Sequence, residues 1–208
     1  MSHLWPYALL VVGIIVLPGM DMAFVAASAL ADGRRGGLAA LAGIVTGGAL
    51  HMLLALAGLG LLLQAWPAAF NALLVGGALY IGWLGWQLLC SRGALLVLPA
   101  GASRPPWRTF LQAAATCLSN PKAAVFMLAV VPQFLRPEHG PLAAQALAMA
   151  LITALVQVLV YGSVAVGAAG LRARLAGSAA AQVAAARAVG GLLLATAAWA
   201  LLTGWRTG

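Results

Sequence analysis

The run Ile14-Ile15-Val16-Leu17-Pro18-Gly19-Met20-Asp21 begins as an apolar membrane segment and ends on a proline, a glycine and a carboxylate. The same kind of interruption returns at Asn120-Pro121-Lys122. Proline frees a backbone carbonyl that lipid cannot satisfy. A charge at the centre of a spanning helix costs about 2.5–3.5 kcal/mol on insertion scales. A chain that accepts both penalties twice, at matching places in its two halves, reads as a carrier with a substrate site at the bilayer midplane.

Composition fixes the solvent. The 208 residues are 64% hydrophobic and 7% charged, with a mean hydropathy of +1.04, far from soluble globular domains. Windows of about 20 apolar residues, the length that crosses the hydrocarbon core, recur along the chain. Six spans are expected, at about 4–31, 38–64, 67–90, 109–135, 142–168 and 188–205. Short connections make 1–208 a single membrane transport domain, all-α and without a soluble module.

The net charge of +8 would suggest nucleic acid in a soluble protein, but its placement points elsewhere. Arg34, Arg35, Arg92, Arg104, Arg108, Arg172, Arg174 and Arg187 all fall on one side if six spans alternate, against Arg136 and Arg206 on the other. By the positive-inside rule, both termini face away from the cytoplasm. The expected location is the bacterial cytoplasmic (inner) membrane, multi-pass. Ala29-Leu30-Ala31 resembles a signal-peptide cleavage site, but no basic region precedes the apolar segment, which is too long and contains Asp21.

The Pro-rich stretch 91–108 divides the chain into a repeat at about 4–90 and a second at about 109–206. Three spans per half is an odd number, so the halves are inverted repeats, with helices 1 and 4 broken at Pro18-Gly19 and Asn120-Pro121. Gly76-Gly77 and Gly190-Gly191 echo each other in spans 3 and 6. Cys90 and Cys117 are too few for a disulfide framework or zinc site and read as packing residues.

Depth, counted from the 1.5 Å rise per helical residue, places nearly every strongly polar side chain within the spans near one plane. Pro18 to Asp21 and Asn120 to Lys122 lie there, as do His51, Tyr80 and Gln157. Asn is a strong N-cap and Pro suits the first helical position, so a half-helix is expected to start at Asn120-Pro121, its positive end at mid-membrane. Substrate-binding candidates are Pro18, Gly19, Asp21, Asn120, Pro121, Lys122, Tyr80 and Gln157; proton-coupling candidates are Asp21 and His51. Structural readings compete: proline kinks with an Asp21–Lys122 pair, a packing histidine, and interhelical hydrogen bonds from Tyr80 and Gln157. Trp5, Trp66, Trp107 and Trp205 read as interfacial anchors.

These motifs resemble the lysine exporter and homoserine/threonine exporter (LysE/RhtB) family. In the first half they are Pro18-Gly19-x-Asp21, Gly33-Arg34-Arg35-x-Gly37-Leu38, Gly43 and His51. Gly77-Ala78-x-Tyr80-Ile81-Gly82-Trp83-Leu84-Gly85 is similar to the third-helix signature. Phe110, Asn120-Pro121-Lys122-Ala123-Ala124-x-Phe126 and Pro132-Gln133-Phe134 are similar to the second-half signature. The resemblance covers about 4–170. It implies a six-helix efflux carrier for amino acids or related metabolites, driven by proton motive force. Met20 departs from it, since the family usually has a second proline there.

Other functions fit less well. A thiol-redox protein of similar design needs a cysteine near each break, and span 1 has none. A metal exporter needs several His or acidic ligands at depth, and an enzyme needs a nucleophile–base or zinc motif; neither is present. A passive channel, or an exporter of another small metabolite or a metal ion, is the alternative. No enzyme activity, cofactor or metal is expected. The partners are an amino acid or derivative, protons and the lipid bilayer, not nucleic acid, with a homodimer left open. In the expected mechanism a substrate carboxylate meets Lys122 and the N–H groups at Pro121, and its ammonium meets Asp21 and the carbonyls freed at Pro18-Gly19. Without substrate, Asp21 and Lys122 are free to pair. Asp21 or His51 carries the proton, and one repeat rocks against the other.

Overall fold

The computed structural model describes residues 4–57, 67–90, 104–175 and 178–204. These residues form α1 (Trp5–Val16), α2 (Met20–Leu56), α3 (Pro67–Cys90), α4 (Pro106–Leu118), α5 (Pro121–Phe134), a 3-10 turn (Pro137–His139), α6 (Leu142–Leu175) and α7 (Ala179–Gly204). The end of the second expected span, with Trp66, lies outside the described residues, as do Arg92 with most of the 91–108 linker, Trp205 and Arg206.

Local chemistry sets the boundaries. Leu17 is extended at φ −63°, ψ 124°, the conformation that a following proline imposes, so α1 stops before Pro18. Asn120 caps α5, accepting the backbone N–H of Lys122 at 3.1 Å, with Pro121 at the first position. The sequence places a loop between spans 1 and 2, but helical backbone runs through 32–37 except at Gly33. Gly33 has φ +66°, a conformation that L side chains disfavour and glycine adopts freely. The second limb of α2 then folds back on the first. A Cβ on Gly36 would lie 2.5 Å from the Ser28 carbonyl oxygen, and one on Gly37 would lie 2.9 Å from Ala29 Cβ. The break between spans 5 and 6 is also shorter than expected. α6 runs to Leu175 and α7 begins at Ala179, so Arg172, Arg174 and Arg187 sit on helices.

α2 packs most extensively on α6 and α4, and α3 on α7. The main core joins α1, α2, α4, α5 and α6 through Tyr7, Val11, Ile44, Cys117, Met127 and Met149. A second cluster joins Met20 and Ala23 of α2 to Ala78 and Ile81 of α3 and Leu193 and Ala197 of α7. Small residues let the helices approach: a Cβ at Gly47 would sit 2.6 Å from Cys117 Cβ, and one at Gly85 2.8 Å from the Gly190 carbonyl oxygen.

Polarity is arranged inside out. Asp21, His51, Asn120, Gln145, Thr153 and Gln157 are buried, while Leu79, Trp83, Trp199 and Leu202 lie on the outside, Leu202 at 82% exposure. Water would penalise that surface, whereas lipid matches it. Leu142–Arg174 is long and apolar enough to cross a membrane.

Candidate functional site

Each proline break leaves one carbonyl without its helical partner, the one four residues earlier. For Pro18 that carbonyl is Ile14, and for Pro121 it is Cys117. Both are met by a basic side chain from elsewhere in the fold. Lys122 Nζ donates to Ile14 O at 3.1 Å and to Leu17 O at 2.8 Å. His51 Nε2 lies 3.0 Å from Cys117 O, which also accepts the Asn120 N–H at 3.0 Å. A carbonyl only accepts, so Nε2 of His51 carries the hydrogen in that bond. In the neutral ring Nδ1 is then the nitrogen able to take a further proton.

Asp21 stands in the first turn of α2 and is 3% exposed. Asn120 Nδ2 donates to its Oδ1 at 2.9 Å. Asn120 therefore uses both ends of its amide, its oxygen capping α5 and its nitrogen holding Asp21. The charges suit the helix ends they occupy. The Lys122 ammonium sits at the negative end of α1, and Asp21 at the positive end of α2.

Between α1, α5 and α6 lies a cavity of about 30 Å³, lined by Asp21, Lys122, Thr153, Gln157 and Tyr161 and by apolar side chains including Val11, Ile14 and Phe126. That is space for a water-sized group, well below the several hundred Å³ typical of a small-molecule site, so a substrate requires the surrounding helices to part. Aromatic groups pack beside it: the Tyr7 ring meets Phe134 edge-on at 5.5 Å and Phe126 at 6.3 Å. Tyr7 Oη and Thr153 Oγ1 are 2.7 Å apart, and Thr153 donates to Met149 O, which leaves Tyr7 as the donor between them.

The structure brings Asp21, Asn120, Pro121, Lys122 and Gln157 together around the break at Pro18-Gly19, where a Cβ on Gly19 would lie 3.0 Å from Lys122 Nζ. His51 joins them through Cys117. Three expectations need correction. Asp21 and Lys122 take separate partners rather than each other, because the freed carbonyls and the Asn120 amide compete successfully for them. The carbonyls near Pro18 are already occupied by Lys122. Tyr80 stands apart from the cavity, packed in the second cluster with its ring 6.2 Å from Trp83, because its face of α3 turns toward α7 and the start of α2.

Sequence reasoning passes over Cys117, Thr153 and Tyr161. Cys117 could be found by counting four residues back from Pro121. Thr153, Gln157 and Tyr161 follow each other at four-residue spacing, which puts three polar side chains on one stripe of α6. Among the described residues, no three His, Cys, Asp or Glu side chains gather as a metal site would require.

The family described as LysE type translocator matches residues 12–204. The homoserine/homoserine lactone efflux protein of Salmonella typhimurium is 33% identical over 162 residues, covering 77% of this chain and 78% of the relative. The threonine efflux protein of Salmonella typhi is 34% identical over 132 residues, 61% of this chain and 63% of the relative. A leucine efflux protein of Klebsiella pneumoniae is 35% identical over 123 residues, 59% and 58% of the two chains. No solved structure matches the chain. The match over residues 12–204 shows that this chain belongs to the LysE type translocator family: it is a membrane protein of an amino-acid efflux family and not an enzyme.

Proposed function

We propose that this protein exports amino acids or closely related metabolites from the cytoplasm, as a secondary-active carrier exchanging substrate for protons. One observation carries the reading: a single buried acid and a single basic group, Asp21 and Lys122, flank one cavity, each held at a helix break by a partner that can let go. A zwitterion matches that pair. Its carboxylate takes the Lys122 ammonium, and its own ammonium takes Asp21 and the Ile14 and Leu17 carbonyls that Lys122 gives up. The relatives named for homoserine, threonine and leucine efflux support the substrate class.

The six-span inverted-repeat design belongs to the same proposal. α1 with the first limb of α2 corresponds to α4 with α5, the second limb of α2 to α6, and α3 to α7. Three features support it: α3 packs on α7, α2 on α6, and each broken element has a freed carbonyl covered by a basic side chain. Both termini lie outside the cytoplasm in this proposal, which the arginine distribution supports. His51 and Asp21 share the coupled proton, with Nδ1 of His51 as the site that gains it.

The test is counterflow of radiolabelled amino acids in proteoliposomes of the purified protein, with and without a pH gradient. Saturable exchange of at least one amino acid, and its accumulation when a gradient is imposed, is the expected result. Flux that neither saturates nor responds to the gradient would identify a passive channel instead.

A further inference from the structure

Gln157 lines the cavity and carries an unanswered acceptor. Its Oε1 is buried and has no hydrogen-bond partner, although the residue is only 5% exposed. Its neighbour on the same stripe, Thr153, is fully engaged with Tyr7 and Met149. The charged groups of the cavity are engaged as well, Asp21 by Asn120 and Lys122 by two carbonyls. Buried polar groups in folded proteins nearly always find a partner, so the exception points to a ligand.

The position of that acceptor is built in by Gly48. A Cβ there would lie 2.9 Å from Gln157 Nε2, 3.1 Å from Oε1 and 3.4 Å from Cδ. The carboxamide therefore lies on the bare backbone of α2, and any larger residue at 48 would displace it. The apolar part of the cavity lining, Val11, Ile14 and Phe126 among it, offers no hydrogen-bond donor from its side chains.

We propose that Gln157, seated on Gly48, is the residue that selects substrate by its side chain, accepting a hydrogen bond from a hydroxyl or comparable donor. The inference rests on the amino-acid export reading and deepens it. An aliphatic side chain of the same shape leaves the acceptor unpaired, while a hydroxyl satisfies it. Sites built to hydrogen-bond a substrate group discriminate far more steeply than apolar pockets do. Apolar lining together with one unpaired acceptor thus favours a short hydroxylated amino acid over its aliphatic isostere.

Threonine and valine form the matched pair, measured by counterflow in proteoliposomes of the full chain. The wild-type protein is expected to exchange threonine faster by about tenfold or more. Gln157→Met, similar in length but without the acceptor, should slow threonine more than valine and bring the ratio of the two rates close to one. Gly48→Ala keeps the carboxamide but displaces it, and should narrow the preference; it decides the matter if Gln157→Met does not assemble. Equal wild-type rates for the two substrates would overturn the proposal. So would an equal loss of both in Gln157→Met, which would assign Gln157 to the α-ammonium or to packing, or an unchanged preference in Gly48→Ala. A wild-type protein that exchanges no amino acid at all would reject the export reading itself, and this inference with it.

Discussion

Ile14 and Cys117 are matching acceptors: each stands four residues before a proline, and each carbonyl accepts from a basic side chain, Lys122 at 3.1 Å and His51 at 3.0 Å, with the Asn120 N–H as a second donor to Cys117 alone. Both basic groups therefore have a structural task besides any transport task. Release of the Ile14 carbonyl by Lys122 leaves an unsatisfied polar group in an apolar interior, so substrate must replace what it displaces, while Cys117 keeps the Asn120 N–H when His51 lets go. Such coupling makes a helix break a natural switch.

Lys122 and Asp21 separate the two tasks. Lys122→Met removes the donor to Ile14 and Leu17, and hydrogen bonds to charged groups contribute about 1.5–3 kcal/mol. It should abolish export and lower the thermal unfolding temperature of purified protein. Asp21→Asn keeps an oxygen for the Asn120 amide, so it should lose export with little change in unfolding temperature. Because the two charges hold separate partners, Asp21→Asn/Lys122→Met should remain inactive. Export regained by the double variant would mean that the pair merely neutralises itself.

Glycines that set helix spacing should be distinguishable from those that do not. A Cβ at Gly47 meets Cys117 Cβ at 2.6 Å and Sγ at 3.0 Å, while Gly13 and Gly191 have nothing within 4 Å. Gly47→Ala should force α2 and α4 apart at a cost of about 1–3 kcal/mol and disturb the His51–Cys117 bond. Gly13→Ala and Gly191→Ala should be neutral, or stabilising by up to about 1 kcal/mol. Unfolding midpoints in detergent check all three, and a Gly47→Ala midpoint equal to wild type would mean the contact can relax.

Much of the site is readable in the chain because proline and charge are both rare at depth, so Pro18, Asp21, Asn120, Pro121 and Lys122 mark themselves. Counting back four residues from each proline also names the freed carbonyls. What spacing does not give is the partner: Lys122 reaches Ile14 across 108 residues and His51 reaches Cys117 across 66. Depth is likewise readable but direction around the helix is not, which is why Tyr80 and Gln157 look alike in sequence and only Gln157 lines the cavity. The turn at Gly33 looks like a loop because Asp32-Gly33-Arg34-Arg35 is polar, yet one glycine at positive φ suffices to reverse the chain.

Orientation follows from charge and can be read with impermeant maleimides. Arg104 and Glu138 are both exposed, and each can carry a new cysteine in a Cys90→Ser/Cys117→Ala background. Arg104→Cys should label only when the reagent reaches the cytoplasm, and Glu138→Cys from outside intact cells. Labelling of position 104 from outside and of position 138 from the cytoplasm would reverse the topology, and labelling of both from one side would remove the basis for the inverted repeat.

His51→Gln tests the proton. A glutamine amide can still donate to the Cys117 carbonyl, so the break at Asn120-Pro121 keeps its cover and the protein should assemble with near-normal stability. It has no nitrogen equivalent to Nδ1 that can gain a proton near neutral pH. Exchange of labelled for unlabelled substrate across the membrane needs no net proton movement and should persist. Accumulation of substrate driven by a pH gradient should disappear, and the pH dependence of export should flatten. A variant that still accumulates substrate with unchanged pH dependence would leave His51 as a structural donor and pass the coupled proton to Asp21. In that case Asp21→Asn, which cannot titrate either, should abolish accumulation that His51→Gln leaves intact.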